Sequence, residues 1–439
     1  FSGQIRPRFN LDQDAKDHTS TATFFDTRVR LNAKANVNAN TEVFLQLQSV
    51  GNWGQDGGGR THNGTRVGGG GGGEQANDNL SDVGFHQAYL TLKNFAGTGM
   101  DVKSGRQEIV IDGHRLFGHT GWTQGAETKD AIRLTHAGGN HTINYSFIAA
   151  NNGDNVAHTN DSNAEVHVLY AKTQGVLGGA LSGIVTFTRD DSGIVTPDMN
   201  NWFTLGARQA GKLAGLDYRV EYYHQLGDAG TVANASGYGI TGATTQGDSV
   251  DRDANMFGIR VGKKLGKGAI TLWYDRLSGV DDDDQTGGDW GQFDTMFDTG
   301  HKFYGFQDFY LSRTGAGTRF FGLQDIALKT KISPRAGWTL KADLHHFRTA
   351  TDLTGADVDA ILANLTDAAN VINGAMDNDL GTELDLTVVH KYDANTKMVV
   401  GYSHYFTTQT FGQLNGAGNQ GSASNDDSDW AYVMVDTKF

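Results

Sequence analysis

Apolar and polar residues alternate with a period of two in the first stretches of the chain, FSGQIRPRFNLD and TFFDTRVRLNAKA, and again in the last, WAYVMVDTKF. One face of these stretches carries Ile5, Phe9, Val29, Leu31, Val433 and Val435. The opposite face carries Arg6, Arg8, Arg28, Arg30 and Asp436. Successive side chains of a β-strand point to opposite faces of the sheet, so the pattern predicts strands with one apolar and one polar face.

The joins between the predicted strands alternate between short and long. Eight tight turns, such as those at 94–97 and 138–139, are interleaved with nine longer connections. The longest connections lie near 51–82, 227–251, 279–317, 350–379 and 412–427. In an outer-membrane barrel, short and long connections alternate along the chain because the short turns lie at one end of the barrel and the long loops at the other. The sequence therefore predicts one all-β domain over residues 1–439, a closed antiparallel transmembrane barrel of about 18 strands with short periplasmic turns and long extracellular loops.

An even strand number places both termini on the short-turn side, which is periplasmic in such barrels. The last strand must then pair with the first, because an open edge in lipid leaves backbone groups unsatisfied. The terminal aromatic residue Phe439, with apolar residues at alternate positions behind it, resembles the carboxy-terminal signal that the outer-membrane assembly machinery reads. We expect any secretory signal to lie outside this numbering.

The lipid face is predicted to continue through the middle strands. Its members include Leu90, Leu92, Ile143, Tyr145, Phe147, Val166, Val168, Tyr170, Phe203, Leu205, Leu216, Tyr218, Val220, Tyr222, Phe257, Ile259 and Val261. In the stretch MDVKSGRQEIVI, Val102 and Ile109 have opposite parity. We therefore expect a β-bulge near Gly105, which would decide whether Arg106 faces the lumen.

Composition supports the barrel and excludes several functions. Sixty glycines, three prolines and 38% hydrophobic residues suit short strands joined by polar connections. Mean hydropathy is -0.44, which a barrel can show because only alternate residues face lipid. The absence of cysteine removes thiol chemistry and thiolate metal sites. A net charge of -14 argues against nucleic acid as a partner.

Charged residues on the predicted inner face are the candidate functional residues. We expect the pore to be lined by Arg6, Arg8, Arg28, Arg30, Lys129, Arg133, Arg208, Arg219, Arg260, Lys341, Glu383 and Asp385. Charges inside a barrel must face water or each other, so a water-filled channel with a locally basic interior follows. The four arginines of the first two strands would form one basic patch that attracts anions, or would pair with carboxylates across the lumen.

The connections offer weaker candidates. Four carboxylates in a row, Asp281, Asp282, Asp283 and Asp284, could hold calcium or form a solvated acidic loop; no other cofactor is expected. Six glycines, Gly68–Gly73, predict a flexible tether that lies over the mouth or remains disordered. Apolar residues at helical spacing over 358–372 predict a short amphipathic helix. No catalytic motif is present, and His345 and His346 point to opposite faces of one strand.

Five blocks between Gly105 and Phe406 resemble, in order, the alginate export family of outer-membrane porins. They are GRQEIVIDGHRLFG, TKDAIRL, FDTMFDTGHKFYGFQDFY, LKTKISPRAGWTLKADLHHFRTA and LGTELDLTVVHKYDANTKMVVGYSHYF. The resemblance implies an eighteen-stranded monomeric barrel through which a solute or polysaccharide crosses passively, with a basic lumen that favours anionic cargo. The matching polar residues are Arg106, Arg133, His301, Lys302, Asp308, Glu383 and Asp385.

Two functions from different classes remain open at this stage. The first is a passive channel in the outer membrane of a Gram-negative bacterium, for small hydrophilic solutes or for anionic saccharides or polysaccharide. The second is a barrel that serves as a structural sheath or interaction platform for a periplasmic or surface partner. An enzyme ranks third. The expected partners are outer-membrane lipid and lipopolysaccharide, the assembly machinery and the solute itself.

Overall fold

The computed structural model describes residues 1–13, 21–53, 83–152, 163–190, 201–229, 251–281, 289–311, 318, 320–353, 377–416 and 427–439. Nineteen strands follow in chain order: β1 Ser2–Gln13, β2 Thr21–Asn36, β3 Thr41–Asn52, β4 Gly84–Leu92, β5 Met100–Gln107, β6 Lys129–Gly138, β7 His141–Asn152, β8 Asn163–Val176, β9 Gly179–Asp190, β10 Asn201–Leu213, β11 Leu216–Asp228, β12 Asp251–Leu265, β13 Gly268–Leu277, β14 Asp289–Trp290, β15 Leu323–Ile332, β16 Trp338–Arg348, β17 Asp379–Lys391, β18 Thr396–Thr407 and β19 Ser428–Lys438.

Eighteen of these strands form the closed antiparallel wall that the alternation predicts. Each pairs with its neighbours in the chain, β13 pairs with β15, and β1 pairs with β19. The two-residue strand β14 instead runs parallel to the first two residues of β12, above the point where pairing with β13 begins. The predicted strand number and closure are confirmed.

The closing seam ends in a tight pair of residues, Gly3 and Phe439. Their backbones exchange two hydrogen bonds, with N···O distances of 2.6 and 3.1 Å. A Cβ atom at position 3 would lie 2.4 Å from the Phe439 ring, so the absence of a side chain there makes room for it. The terminal phenylalanine therefore completes the last rung of the barrel.

Connection length separates the two ends of the barrel, as predicted. The eight short turns, between β2 and β3, β4 and β5, β6 and β7, β8 and β9, β10 and β11, β12 and β13, β15 and β16, and β17 and β18, share one end with both termini. We call it the short-turn end. The nine longer connections leave from the other end, the long-connection end.

The outer face of the wall is apolar. Ile5, Val29, Leu31 and Val433 are exposed on it, and Phe9 and Val435 are half-buried. The side chains predicted for the other face, Arg6, Arg8, Arg28, Arg30 and Asp436, are buried inside the barrel. The alternation thus assigns the inner and outer faces of these strands correctly.

Two expectations about the middle strands are wrong. On β8, Val166, Val168 and Tyr170 point inward and are buried, whereas Leu169 is 50% exposed on the outer face. On β5 the pairing with both neighbours has no register shift, so there is no bulge at Gly105. The parity changes because the strand ends at Gln107 and the chain then turns into the barrel.

Arg106 lies on the outer face. Its guanidinium makes two hydrogen bonds to Asp130 on β6, at 3.0 and 2.8 Å. It therefore does not contribute to the lumen.

Helical structure is sparse among the residues that the structure describes. A helix, α1, spans Gln409–Gly416, and 3-10 turns span Phe95–Gly97 and Gly300–Lys302. Among the described residues, no helix has the length and apolar character needed to cross a membrane. The amphipathic helix predicted over 358–372 and the glycine run Gly68–Gly73 lie outside the described residues.

Candidate pore constriction

Two connections at the long-connection end turn back into the lumen. We call residues 108–128, between β5 and β6, the first inward segment, and residues 289–311, between β13 and β15, the second inward segment. Both make hydrogen bonds to side chains on the inner face of the wall. The lumen is therefore narrowed from within by parts of the chain that the sequence assigns to external loops.

Arg115 anchors the first inward segment to the opposite side of the wall. Its guanidinium donates to Asp275 at 2.6 Å and to Glu221 at 3.1 and 3.2 Å, and its Nη1 donates to the Tyr304 hydroxyl at 2.7 Å. The Phe303 ring lies 3.9 Å from the guanidinium carbon. Arg115 is 2% exposed. The positive charge of Arg115 and the negative charges of Glu221 and Asp275 thus compensate each other in a buried site.

The arginines of β1 and β2 hold the other end of the same segment. Arg6 donates to the carbonyl oxygens of Gly121, Trp122 and Thr123 at 2.8 to 2.9 Å. Arg28 donates to those of Gly121, Thr123 and Gln124 at 3.1 to 3.4 Å. The guanidinium N–H groups of Arg6 and Arg28 therefore bond to backbone carbonyl groups. They do not pair with carboxylates across the lumen or face water, where they could attract anions, as the sequence had suggested.

The other two arginines of the patch bond mainly to the wall, although Arg8 also lies 3.5 Å from the Trp122 carbonyl oxygen and Arg30 lies 3.7 Å from Glu108, both in the first inward segment. Arg8 forms an ion pair with Asp26 at 2.7 Å. Arg30 donates to Gln48 at 2.6 Å and contacts His86 at 2.9 Å. A water-exposed basic patch does not form here, because each of the four side chains is buried against protein.

Glu383 on β17 holds the second inward segment. One carboxylate oxygen accepts hydrogen bonds from the backbone N–H groups of Phe306 and Gln307, at 2.5 and 2.9 Å. The chain can approach so closely because Gly305 has φ +86°, and a Cβ there would lie 2.3 Å from the carboxylate. The two blocks TGHKFYGFQD and LGTELDL, distant in sequence, thus meet in the lumen.

The two inward segments also contact each other. Three backbone hydrogen bonds join 114–118 to 297–299, at 2.7 to 3.1 Å. Nearby, His301 stacks between Trp122 and Phe306, with ring centroids 4.5 and 4.9 Å apart, and its Nδ1 lies 2.7 Å from Asp308. The segments form one interlocked body inside the barrel.

An apolar core fills one side of the lumen around this body. Ile109, Phe117 and Phe297 of the inward segments belong to the same buried cluster as Val166, Val168, Trp202 and Met256 of the wall. Burial raises the pKa of Asp298, in the second inward segment, well above its usual range. This side of the lumen is thus apolar and closely packed among the described residues.

A group of cationic side chains surrounds the turn of the first inward segment at Gly113. Lys302 donates to the Gly113 carbonyl at 3.0 Å, and Arg219 approaches so closely that a Cβ at position 113 would lie 2.8 Å from its Nη1. Arg208 lies 3.6 Å from Asp112. We call Arg208, Arg219 and Lys302 the cationic cluster.

Positive charge exceeds negative charge at this cluster. Together with Arg115 and Arg260, its side chains face three carboxylates, those of Asp112, Glu221 and Asp275. Within the described part of the chain, Arg219 Nη2 has no hydrogen-bond partner. Desolvation by the surrounding protein, and then the charges of Arg219, Arg115 and Arg208, lower the pKa of Lys302 to about 8, although the residue itself is exposed. The cluster can therefore attract an anion.

The remaining predicted site residues lie apart from the cluster. Lys129 is buried beside Glu127 and over the Phe297 ring, and Arg260 lies over the Trp273 ring. Arg133 is half-buried on β6, Asp385 is buried on β17 beside Ser403, and Lys341 is exposed at the short-turn end. Arg115 was not among the predicted pore-lining residues, because it lies in a segment that was predicted to be an external loop.

The calcium hypothesis stays a prediction. Asp282, Asp283 and Asp284 lie outside the described residues. Where the structure does describe the chain, no group of three or more histidine or acidic side chains is arranged to hold a metal ion.

Comparisons with known proteins agree with this architecture. The family model described as alginate export matches residues 1–422. Similar solved structures include OpdQ of Pseudomonas aeruginosa (10% identity, TM-score 0.54) and OccAB4 of Acinetobacter baumannii (10%, 0.58). A BenF-like porin from Pseudomonas fluorescens Pf-5 is also similar (12%, 0.55). Each alignment covers 100% of this chain and 97% of the other. No curated protein matches the chain. At these identities the solved structures show the fold alone.

Proposed function

This chain belongs to the alginate export family, and we propose that it is an outer-membrane channel for passive passage of small anionic solutes or anionic saccharides. The observation that carries the preference for anions is the excess of positive charge at the cationic cluster. The cluster surrounds the turn of the first inward segment at Gly113, inside the lumen. Nothing in the proposed function requires catalysis.

The cationic cluster suits a selectivity site better than the arginine patch of β1 and β2 does. A permeating ion responds to charges that it can approach through water. Arg208 and Arg219 keep 15% and 12% of their side-chain surface, and Lys302 is exposed. By contrast, Arg6 and Arg28 are 4% and 3% exposed and are bonded to carbonyl groups.

We further propose that the short-turn end and both termini face the periplasm. The support is general: barrels of this class have short periplasmic turns and long extracellular connections. The wall would contact outer-membrane lipid and lipopolysaccharide through its apolar outer face. The Gly3–Phe439 rung is consistent with an assembly machinery that reads the terminal aromatic residue.

Replacing Arg219 and Lys302 by glutamine tests the selectivity site. The double variant removes two positive charges and leaves Arg115, Arg208 and Arg260 facing Asp112, Glu221 and Asp275. The local excess of positive charge is then lost, so we expect the anion-to-cation permeability ratio to fall about tenfold. The measurement is the reversal potential of single channels in a salt gradient.

The matched control replaces Arg276 and Arg348, two arginines on outward-facing positions of β13 and β16, by glutamine. This pair changes the net charge by the same amount outside the lumen and should leave the ratio unchanged. An equal shift in both variants would show that the cluster is not the selectivity site.

The lowered pKa of Lys302 predicts that anion preference depends on pH. Its charge should be present at pH 7 and lost as the pH rises through about 8, rather than near the ordinary lysine value of 10.5. We therefore expect the permeability ratio to fall between pH 7 and pH 9. The Lys302→Arg channel should keep its preference for anions between pH 7 and pH 9, because arginine stays charged over this pH range. A pH response that survives this substitution would assign the titration to another group.

A further inference from the structure

Three polar side chains lie side by side on the outer face of the wall, near the long-connection end. Arg276 of β13 is the register partner of Gln324 of β15, which is in turn the register partner of Arg348 of β16. Their chain neighbours Asp275 and Phe347 are buried inside the barrel, so these three side chains point outward. We call Arg276, Gln324 and Arg348 the outer row. Adjacent strands lie about 5 Å apart, so the two arginines stand about 10 Å apart.

The positive charges of the outer row lack a carboxylate partner. Within the described ranges, no acidic side chain lies within ion-pair distance of Arg276 or Arg348. Arg276 donates one hydrogen bond, from Nη1 to Asn255 at 3.3 Å, and Arg348 is exposed. By contrast, Arg106, which also faces outward near this end, makes two hydrogen bonds to Asp130. The outer row therefore needs a counter-ion from outside the protein.

The acidic register partner of Arg348, Asp379 of β17, does not neutralise it. The two residues face each other beside a shift in the pairing. The Asp379 carboxylate instead accepts the Gly381 backbone N–H at 2.9 Å and lies 3.9 Å from His346 Nδ1. Arg348 is therefore available to an anion.

Gln324 keeps the two arginines apart without neutralising them. Its Oε1 accepts the Tyr274 hydroxyl at 3.0 Å, and its Nε2 donates to the Thr349 carbonyl oxygen at 3.0 Å. Directly opposed like charges destabilise a strand pair, and the neutral residue between the arginines avoids this arrangement. Because arginine side chains are long, the two guanidinium groups can approach one anion from opposite sides.

Exposed apolar side chains continue from the outer row toward the short-turn end. Leu272 of β13, Ile326 of β15 and Leu344 of β16 are 60%, 50% and 43% exposed on the same face. Tyr274 lies between Leu272 and the outer row, and tyrosine is typical of the level at which the wall of a membrane barrel passes from hydrocarbon to headgroups. Unpaired cations thus stand directly above an apolar surface, which fits a ligand with an anionic head and acyl chains.

We propose that the outer row binds a phosphate group of lipopolysaccharide, with the acyl chains of the lipid along Leu272, Ile326 and Leu344. The planar guanidinium group binds phosphate through paired hydrogen bonds. Lipopolysaccharide carries phosphates on a saccharide headgroup, and the outer row lies at the level of that headgroup when the long-connection end faces outward. The inference rests on the proposed orientation of the channel and adds a lipid site on its outer face.

Native mass spectrometry of the folded, detergent-purified protein tests this site with lipid A that carries two phosphates. Arg276→Gln combined with Arg348→Gln should weaken binding of this lipid about tenfold or more, since two charge-assisted contacts to phosphate are lost. Lipid A without its phosphates should bind the variant and the unaltered protein equally. Heat modifiability on a gel checks that the variant is folded.

The matched control is Lys263→Gln combined with Arg335→Gln. It removes the same charge from an outward-facing position of β12 and from a short turn, both at the opposite end of the barrel. It should change lipid A binding by less than about twofold, because these charges lie well beyond the Debye length of about 10 Å at 0.1 M salt from the outer row.

The outcomes separate the lipid site from the channel. Equal lipid A binding by the outer-row variant and the unaltered protein, or an equal loss in the two variants, would overturn the outer row as a headgroup site. Phosphatidylglycerol binding as tight as that of lipid A would overturn lipopolysaccharide as the occupant. The absence of single-channel conductance in the unaltered protein would instead count against the proposed channel. A loss of phosphate-dependent binding in the outer-row variant alone, at unchanged conductance, would establish the site.

Discussion

Arg115→Met should open the channel, raising single-channel conductance about two- to threefold, because an 18-stranded barrel without its inward segments approaches an open lumen. The substitution leaves Glu221 and Asp275 buried without their main partner. Breaking a buried ion pair in this way costs about 3 to 5 kcal/mol. The wall has its full set of backbone hydrogen bonds, so the cost should be met by release of the first inward segment rather than by unfolding.

The readout for this variant is conductance together with the rate of liposome swelling in sugars of increasing size. Arg115→Lys is the matched control. It keeps a positive charge but cannot make the paired hydrogen bonds of a guanidinium group, so we expect a smaller increase in conductance than in Arg115→Met. Wild-type conductance in a folded, heat-modifiable Arg115→Met barrel would mean that the segment is held by its apolar contacts alone.

Arg6→Gln combined with Arg28→Gln should make the current unstable while leaving selectivity unchanged. These two side chains supply the hydrogen bonds to the carbonyl groups of 121–124, and bonds from charged donors contribute about 1.5 to 3 kcal/mol each. Without them, this end of the first inward segment should detach intermittently. We expect frequent transitions to a level above the normal open state.

Reversal potential distinguishes this account from an anion-attracting patch. Since Arg6 and Arg28 are buried against protein, the double variant should show the same reversal potential in a salt gradient as the unaltered channel. Arg30→Gln serves as the control, because that side chain bonds to Gln48 and His86 on the wall and meets the first inward segment at Glu108, 3.7 Å away and apart from 121–124, so the current should stay stable. A shift of the reversal potential toward cation selectivity, with a stable current, would instead show that the arginines of β1 and β2 contribute to ion selectivity.

The wall of the barrel could be predicted from the sequence because almost every strand has an apolar outer face and a polar inner face, which produces the period-two alternation. The rule fails at β8, where both faces carry apolar residues. Leu169 faces outward, while Val166 and Val168 pack against the apolar side of the inward segments. Period-two patterning cannot tell lipid from an apolar plug, so the choice between the faces of such a strand depends on tertiary context.

The constriction could not be predicted from patterning, although its sequence held a signal. Residues 289–311 contain eight aromatic side chains: Trp290, Phe293, Phe297, Phe303, Tyr304, Phe306, Phe309 and Tyr310. A loop exposed to solvent rarely carries so many large aromatic side chains, so the composition of residues 289–311 alone indicates that this segment is buried. The partners of Arg115 were beyond reach, because Glu221, Asp275 and Tyr304 come together only when the barrel is closed.

The interlocked inward segments also determine the order in which this molecule can fold. Arg6 and Gln124 are 118 residues apart in the chain, Arg115 and Asp275 are 160 apart, and Arg115 and Tyr304 are 189 apart. Contacts of such long sequence separation form slowly, since the intervening chain must be ordered first. Strands from both halves of the sheet must be in place before the plug has anything to dock on. The anchors of the first inward segment therefore cannot form until β11 and β13 are in place, although the segment precedes both strands in the chain, so the constriction matures only after much of the wall has formed.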